Sequence, residues 1–175
     1  MTRLVRTFVF AATLLACRLA PVAAQSLQRL SLEVSGTGNF AADANPYFDP
    51  KSRPAFEAQG RYTFSRFSLG MGAIFQSPQN NLHQLRASVF VEPRLIMAAR
   101  AGKAFYIAGR LGEGRFICTI LCTNEPMHVT YGGGAGLLLR LSPRIAADLG
   151  IEYLRVFQQS ASGYALARGG FSVGL

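Results

Sequence analysis

The sequence predicts an all-β chain, in which eight antiparallel strands close up-and-down into a transmembrane barrel preceded by a signal peptide. Hydrophobic and polar residues alternate with a period of two along eight segments, which is typical of strands with one buried and one polar face. Residues that favour turns separate several of these segments. The chain of 175 residues is half hydrophobic and 15% charged, with 18 Gly and 13 Phe, which favours a single turn-rich domain.

The N-terminal segment has the layout of a secretory signal peptide. Two arginines precede an apolar run that ends at Cys17, and small residues at 21–24 supply a cleavage site. We therefore assign 1–24 to the signal peptide and 25–175 to the barrel domain. The alternative is a lipidated Cys17, because Leu14-Leu15-Ala16-Cys17 resembles a bacterial lipobox.

The charge of the mature chain argues weakly for acidic partners. Removal of Arg3, Arg6 and Arg18 with the leader leaves 15 basic and 9 acidic residues. This excess favours partners such as lipid phosphates. It does not indicate nucleic acid, because no basic cluster with interleaved aromatic residues occurs.

The alternation is clearest near the end of the chain. Between 144 and 153, Ile145, Leu149 and Ile151 share one face, while Asp148 and Glu152 share the other. The same pattern predicts eight strands at 30–40, 56–64, 67–75, 84–97, 105–112, 128–141, 144–153 and 164–175.

Short turns follow the second, fourth and sixth strands. They are Ser65-Arg66, the region 99–103 and the turn at 142–144. Pairing Leu141 with Ile145 keeps both faces in phase and places Arg140 diagonally from Asp148, within reach of a salt bridge.

The polar faces of the predicted strands carry five acids and six bases. This near-balance suits an enclosed interior, where an unpaired charge is costly. We expect these residues to form a charge network inside the barrel: Glu33, Glu57, Arg61, Arg86, Glu92, Arg94, Arg110, Arg140, Asp148, Glu152 and Arg168.

The apolar faces carry no charge in the central part of any strand. Lipid exposure explains that absence, because a charge at the bilayer midplane costs about 2 to 4 kcal/mol. The connections after the first, third, fifth and seventh strands are longer than the short turns, and this asymmetry is typical of outer-membrane barrels. The alternative is a soluble, lipocalin-like periplasmic barrel that buries its apolar face around a ligand.

These features resemble the small eight-stranded outer-membrane barrels, the family that includes the OmpA transmembrane domain and OmpX. The most specific element is the C-terminal "RGGFSVGL", in which Arg168, Gly170, Val173 and Leu175 match the spacing of that family's assembly signal. Leu175 departs from the usual final Phe or Trp. The resemblance implies a monomer in the bacterial outer membrane, with lipid, lipopolysaccharide and the assembly machinery as partners.

The two cysteines of the mature chain, Cys118 and Cys122, lie close together in one loop. In an exported protein such a pair predicts a small disulfide. No metal site is predicted, because a lone C-x3-C has no further ligands nearby.

The sequence predicts neither an enzyme nor a cofactor site. His128 and Thr130 resemble the His-x-Ser of the lipid A deacylase family, with Glu152 as an orienting acid, but Thr replaces Ser and faces the interior. The glycines of "GGGAG" lie within a strand, so they form no phosphate loop. A lipid-modifying barrel enzyme remains the alternative.

The expected role is structural or one of surface interaction. Eight strands enclose a lumen that side chains can fill, so no wide pore is expected. On the long-loop side, Lys51, Arg53, Arg115 and Arg155 are expected to contact lipopolysaccharide phosphates.

Overall fold

The computed structural model describes residues 29–41, 53–79, 84–100, 102–118, 128–157 and 162–175. These residues form eight strands: β1 (Leu30–Ala41), β2 (Arg53–Phe64), β3 (Phe67–Gln79), β4 (Gln84–Arg100), β5 (Lys103–Cys118), β6 (His128–Arg140), β7 (Ile145–Phe157) and β8 (Ser162–Gly174). Every strand exceeds the roughly 9 to 11 residues that a tilted strand needs to cross a bilayer. In the described part of the chain, no helix is long and apolar enough to span a membrane.

The eight strands form a closed antiparallel barrel. Each strand pairs with its neighbour in sequence, and β1 also pairs with β8. Along this seam Ser31 faces Gly174 and Ala41 faces Tyr164. Every strand therefore has two hydrogen-bonded neighbours, and the predicted eight-stranded up-and-down barrel is confirmed.

The turns at one end follow the predicted pairing closely. Phe64 faces Phe67 across a two-residue turn, in which Ser65 has a φ of 56°. Between β4 and β5, Gly102 has a φ of 79°, a conformation that glycine adopts without steric cost. The backbone N–H of Leu141 donates to the carbonyl of Ile145 at 2.9 Å, which confirms the predicted pairing of these two residues. We call this end of the barrel the turn end.

The connections at the opposite end are 42–52, 80–83, 119–127 and 158–161, which lie outside the described residues. The expectation that all four are longer than the connections at the turn end is wrong. Segments 80–83 and 158–161 span no more positions than 141–144, because the flanking strands continue past their predicted ends. β3 extends to Gln79 and β7 to Phe157, since backbone pairing does not require the alternation to persist. We call this end the loop end.

The two faces of the sheet differ sharply in polarity. Outward-facing side chains are apolar through the middle of the strands, and those in mid-strand are among the most exposed: Met71 is 66% and Ile151 67% exposed. Inward-facing carboxylates and guanidinium groups are buried instead. This reverses the usual order of a soluble protein, and an apolar surface of this extent marks contact with lipid. The alternative of a soluble barrel around an apolar ligand is therefore wrong.

Candidate functional site

The interior of the barrel holds nine charged side chains, which we call the ionic cluster. Each is at most 5% exposed. They come from six of the strands, because each lies at an inward position of the two-residue alternation. The members are Glu33, Glu57, Arg61, Glu92, Arg94, Arg110, Asp148, Glu152 and Arg168.

The two remaining strands, β3 and β6, make room for these long side chains. Their inward positions include Gly70 and Gly72 in β3 and three glycines of "GGGAG" in β6. A Cβ atom at Gly70 would lie 2.9 Å from the Arg61 Cζ. The glycines therefore provide the space that the neighbouring arginines occupy.

Glu92 is the central acid of the ionic cluster, since its carboxylate contacts all four arginines. Oε1 accepts from Arg61 Nη2 at 2.7 Å and from Arg94 Nε at 2.6 Å. Oε2 accepts from Arg168 Nη1 at 2.9 Å and also from Arg110. A carboxylate out of contact with water requires such partners to offset the loss of hydration.

Arg168 is the central base and connects opposite sides of the barrel. Its Nη1 donates to Glu57 Oε1 at 3.0 Å and to Glu92, while its Nη2 lies 3.3 Å from Glu152 Oε1. The same Nη2 donates to the Tyr106 hydroxyl at 2.9 Å. Because these partners lie on β2, β4, β5 and β7, one β8 side chain links five strands.

Tyr106 is hydrogen-bonded to two members of the ionic cluster, a role that the sequence did not predict. Its hydroxyl donates to Asp148 Oδ1 at 2.6 Å, and the Arg94 guanidinium lies 4.3 Å above its ring centroid. Tyr106 pairs with Gly136 on the adjacent strand, where a Cβ atom would overlap the phenol. An inward tyrosine opposite an inward glycine is the signal that could have identified it.

Apolar side chains line the lumen on both sides of the ionic cluster. Toward the turn end, Ile96, Ala104 and Leu138 pack with Tyr106. Toward the loop end, Leu154, Val156 and Leu166 are at most 2% exposed, and Phe90 packs 4.0 Å beneath the Arg110 guanidinium. Among the described residues, side chains thus occupy the lumen at mid-barrel, with charges at its centre and apolar groups on either side.

Three solved structures have a similar fold. Neisserial surface protein A (NspA) matches with a TM-score of 0.71 and 10% identity, over 83% of this chain and 97% of that one. The fold is that of the small eight-stranded outer-membrane barrels. Outer membrane protein H (OprH) from P. aeruginosa matches with a TM-score of 0.54 and 11% identity, over 79% of this chain and 98% of that one.

The N-terminal β-barrel domain of Pseudomonas aeruginosa OprF shares this outer-membrane-barrel fold. It matches with a TM-score of 0.53 and 13% identity, over 83% of this chain and 98% of that one. No protein-family model and no curated protein matches the sequence. The closed barrel with an apolar exterior places the chain in the bacterial outer membrane, as the sequence predicts.

Two residues expected in the charge network of this outer-membrane barrel are not among the nine. The prediction that Arg140 forms an ion pair with Asp148 is wrong. Arg140 is exposed at the turn end and its Nε donates to the Ser142 carbonyl at 3.3 Å, while Asp148 contacts Arg94, Arg168 and Tyr106. The side chain of Arg86 lies outside the described part of the structure.

The four residues matched to the assembly signal lie in β8 or directly after it. Arg168 points into the ionic cluster, and Gly170 packs against the backbone of Val34 and Ser35. Val173 and Leu175 are exposed on the lipid side. Their role in assembly stays a prediction.

Several other predicted sites of this barrel fall on positions that the structure does not describe. They are the signal peptide, Cys122 and Lys51, together with the side chains of Arg53, Arg115, Cys118 and His128. The disulfide between Cys118 and Cys122 therefore stays a prediction. Thr130 is buried on the inner face, as expected, and Arg155 is exposed with its guanidinium 5.9 Å from the Tyr153 ring centroid.

Proposed function

We propose that this chain is an outer-membrane barrel with a structural or surface-interaction role and no wide pore. The filled lumen carries the proposal. Nine buried charges meet at its centre, and Glu92 alone contacts arginines from four strands. A wide water channel would need a polar lumen that water can enter, whereas these side chains pair with one another across the lumen.

The surface role is assigned to the loop end. We propose that Lys51, Arg53, Arg115 and Arg155 contact the phosphates of lipopolysaccharide. The support is their charge and their position close to the loop-end termini of β2, β5 and β7. Arg155 is exposed beside Tyr153, an arrangement that suits the interface between hydrocarbon and headgroups.

The enzymatic alternative has little support in the site. A nucleophile that acts on lipid must reach the lipid, whereas Thr130 is 5% exposed and faces the lumen. Glu152, the acid considered as its partner, is bound by Arg110 Nε at 2.9 Å. We therefore propose a non-enzymatic role.

The absence of a wide pore is testable by conductance. The purified barrel, reconstituted in a planar bilayer, is expected to show no stable open channel. Arg168→Ala removes the side chain that links five strands and is expected to introduce conductance. The control Arg155→Ala, on the exterior, is expected to leave the bilayer without conductance. Long-lived open states in the unsubstituted protein contradict the proposal.

The surface role requires a separate measurement. Neutralising Lys51, Arg53, Arg115 and Arg155 to glutamine is expected to weaken binding of the barrel to lipopolysaccharide. The matched control neutralises four cations of the turn end: Arg29, Arg66, Lys103 and Arg144. Equal binding by both variants and by the unsubstituted barrel refutes these contacts.

A further inference from the structure

The turn end of the barrel is strongly basic. Its described residues 29, 64–67, 102–103, 140–145 and 174–175 include five cationic side chains and no aspartate or glutamate. The cations are Arg29, Arg66, Lys103, Arg140 and Arg144. A set of like charges around one opening creates a positive potential that attracts anions.

A recess opens into the barrel at this basic end. Arg140, Ser142 and Arg144 line its mouth, and the buried Arg61 and Arg94 line its inner part. Its volume of about 60 Å³ leaves room for roughly four or five water-sized groups, and a phosphate group has five heavy atoms. The recess therefore has room for a single oxyanion.

Three buried side-chain atoms of the described recess lining have no hydrogen-bond partner, namely Arg61 Nε, Glu33 Oε2 and Arg94 Nη1. The first two form an ion pair at 3.4 Å, which leaves Arg94 Nη1 unpaired. Arg94 is 1% exposed, and its Nε and Nη2 contact Glu92, Glu33 and Asp148. Its Nη1 has no hydrogen-bond partner among the described residues. Because a buried guanidinium N–H without an acceptor is costly, an acceptor supplied by a ligand explains this arrangement.

We propose that the recess binds a phosphate group. Arg140 and Arg144 supply positive charge at the mouth, and Nη1 of Arg94 donates a hydrogen bond from the inner wall. Guanidinium groups match the oxygens of phosphate in geometry and charge. The carboxylate in the lining is Glu33, and it is held by Arg94 at 3.0 Å and Arg61 at 3.4 Å.

The phosphate has two possible sources, a free phosphate ion or a phospholipid headgroup of the surrounding leaflet. Both present the same oxyanion to the recess. The recess lies at the opposite end from the proposed lipopolysaccharide contacts, so this inference does not depend on them.

The first experiment titrates inorganic phosphate into the full barrel in dodecyl maltoside micelles, which contain no phosphate, and follows binding by calorimetry. We expect saturable binding to one site. Arg140→Gln/Arg144→Gln is expected to weaken that binding roughly tenfold or more, since charge-assisted hydrogen bonds are lost. The matched control, Arg29→Gln/Arg66→Gln, removes the same charge from the turn end outside the recess and is expected to change binding less than threefold. A heat-dependent gel shift verifies that each variant is folded.

The proposal is overturned by either of two results. One is the absence of saturable phosphate binding to the unsubstituted barrel. The other is an equal weakening of phosphate binding by both double variants, which would show that the positive potential of the turn end attracts phosphate without a specific site. A repeat in phosphatidylglycerol nanodiscs identifies the source: weaker apparent phosphate binding there supports occupation by the lipid headgroup, and unchanged binding supports free phosphate.

Discussion

The Tyr106 hydroxyl donates a hydrogen bond to Asp148 Oδ1 over 2.6 Å while accepting one from Arg168 at 2.9 Å. A neutral side chain thus connects an acid and a base that already lie within 3.6 Å of each other. This relationship joins the ionic cluster to the apolar layer at the turn end, because the Tyr106 ring packs with Ile96 and Leu138.

Replacing Tyr106 by phenylalanine tests this link. Tyr106→Phe keeps the ring but removes the donor to Asp148 and the acceptor for Arg168. We expect the free energy of unfolding in detergent to fall by about 1 to 3 kcal/mol, the cost of leaving buried polar groups unpaired. Tyr62→Phe, on the half-exposed outer face, is the control and is expected to change stability by less than about 0.5 kcal/mol. Equal effects of the two substitutions contradict the assignment.

Gly136 is expected to be intolerant of a side chain, because a Cβ atom there would overlap the Tyr106 phenol. Gly136→Ala is predicted to destabilise the barrel by about 1 to 3 kcal/mol. Gly169→Ala is the matched control, since a Cβ atom at that position meets only Leu149 at 3.6 Å. Urea unfolding of both variants in the same micelle measures the difference, and a Gly136→Ala barrel as stable as the control argues against this packing.

Glu92 is expected to contribute most among the acids of the ionic cluster. Glu92→Gln removes a charge that contacts four arginines, and we predict a loss of about 3 to 5 kcal/mol in unfolding free energy. Glu33→Gln is expected to cost less, because the cluster has five carboxylates for four guanidinium groups and Arg94 Nη2 also contacts Asp148. If Glu33→Gln lowers the free energy of unfolding more than Glu92→Gln does, Glu92 is not the central acid of the ionic cluster.

The outer face offers a direct test of lipid contact. Ile151 lies in mid-strand and is 67% exposed, so Ile151→Arg places a charge in the hydrocarbon region. We predict a loss of about 2 to 4 kcal/mol for folding into a bilayer. Leu141→Arg, at the exposed turn end, is expected to cost about 0 to 1 kcal/mol. If Ile151→Arg costs no more than Leu141→Arg, the bilayer does not cover this face at mid-strand.

Alternation along the sequence predicted much of this fold because a strand's two-residue period assigns every side chain to a face. It placed Glu92 and Arg168 inside and Ile151 outside without any structural information. It could not show the depth of a side chain along the barrel axis or the direction in which its end group points. Arg140 has the inward parity but lies at the last residue of β6, where its guanidinium bonds to the Ser142 carbonyl.

The contacts inside the lumen could not be predicted from the sequence, because they join residues on different strands. Glu57 and Arg168 are separated by 111 positions, yet they meet because β2 and β8 both flank β1 in the closed barrel. Alternation along one strand carries no information about such partners. Tyr106 was missed because its importance depends on Asp148, which reaches it from β7.

Contact of the apolar face with the outer membrane is tested most directly by fractionation of expressing cells, followed by gel electrophoresis of the outer-membrane fraction. We predict that the protein is found in this fraction and that its band migrates differently before and after boiling, because a closed transmembrane barrel resists unfolding in cold SDS. A protein that is recovered in the soluble periplasmic fraction, with one mobility under both conditions, would contradict the assignment of the apolar face to lipid.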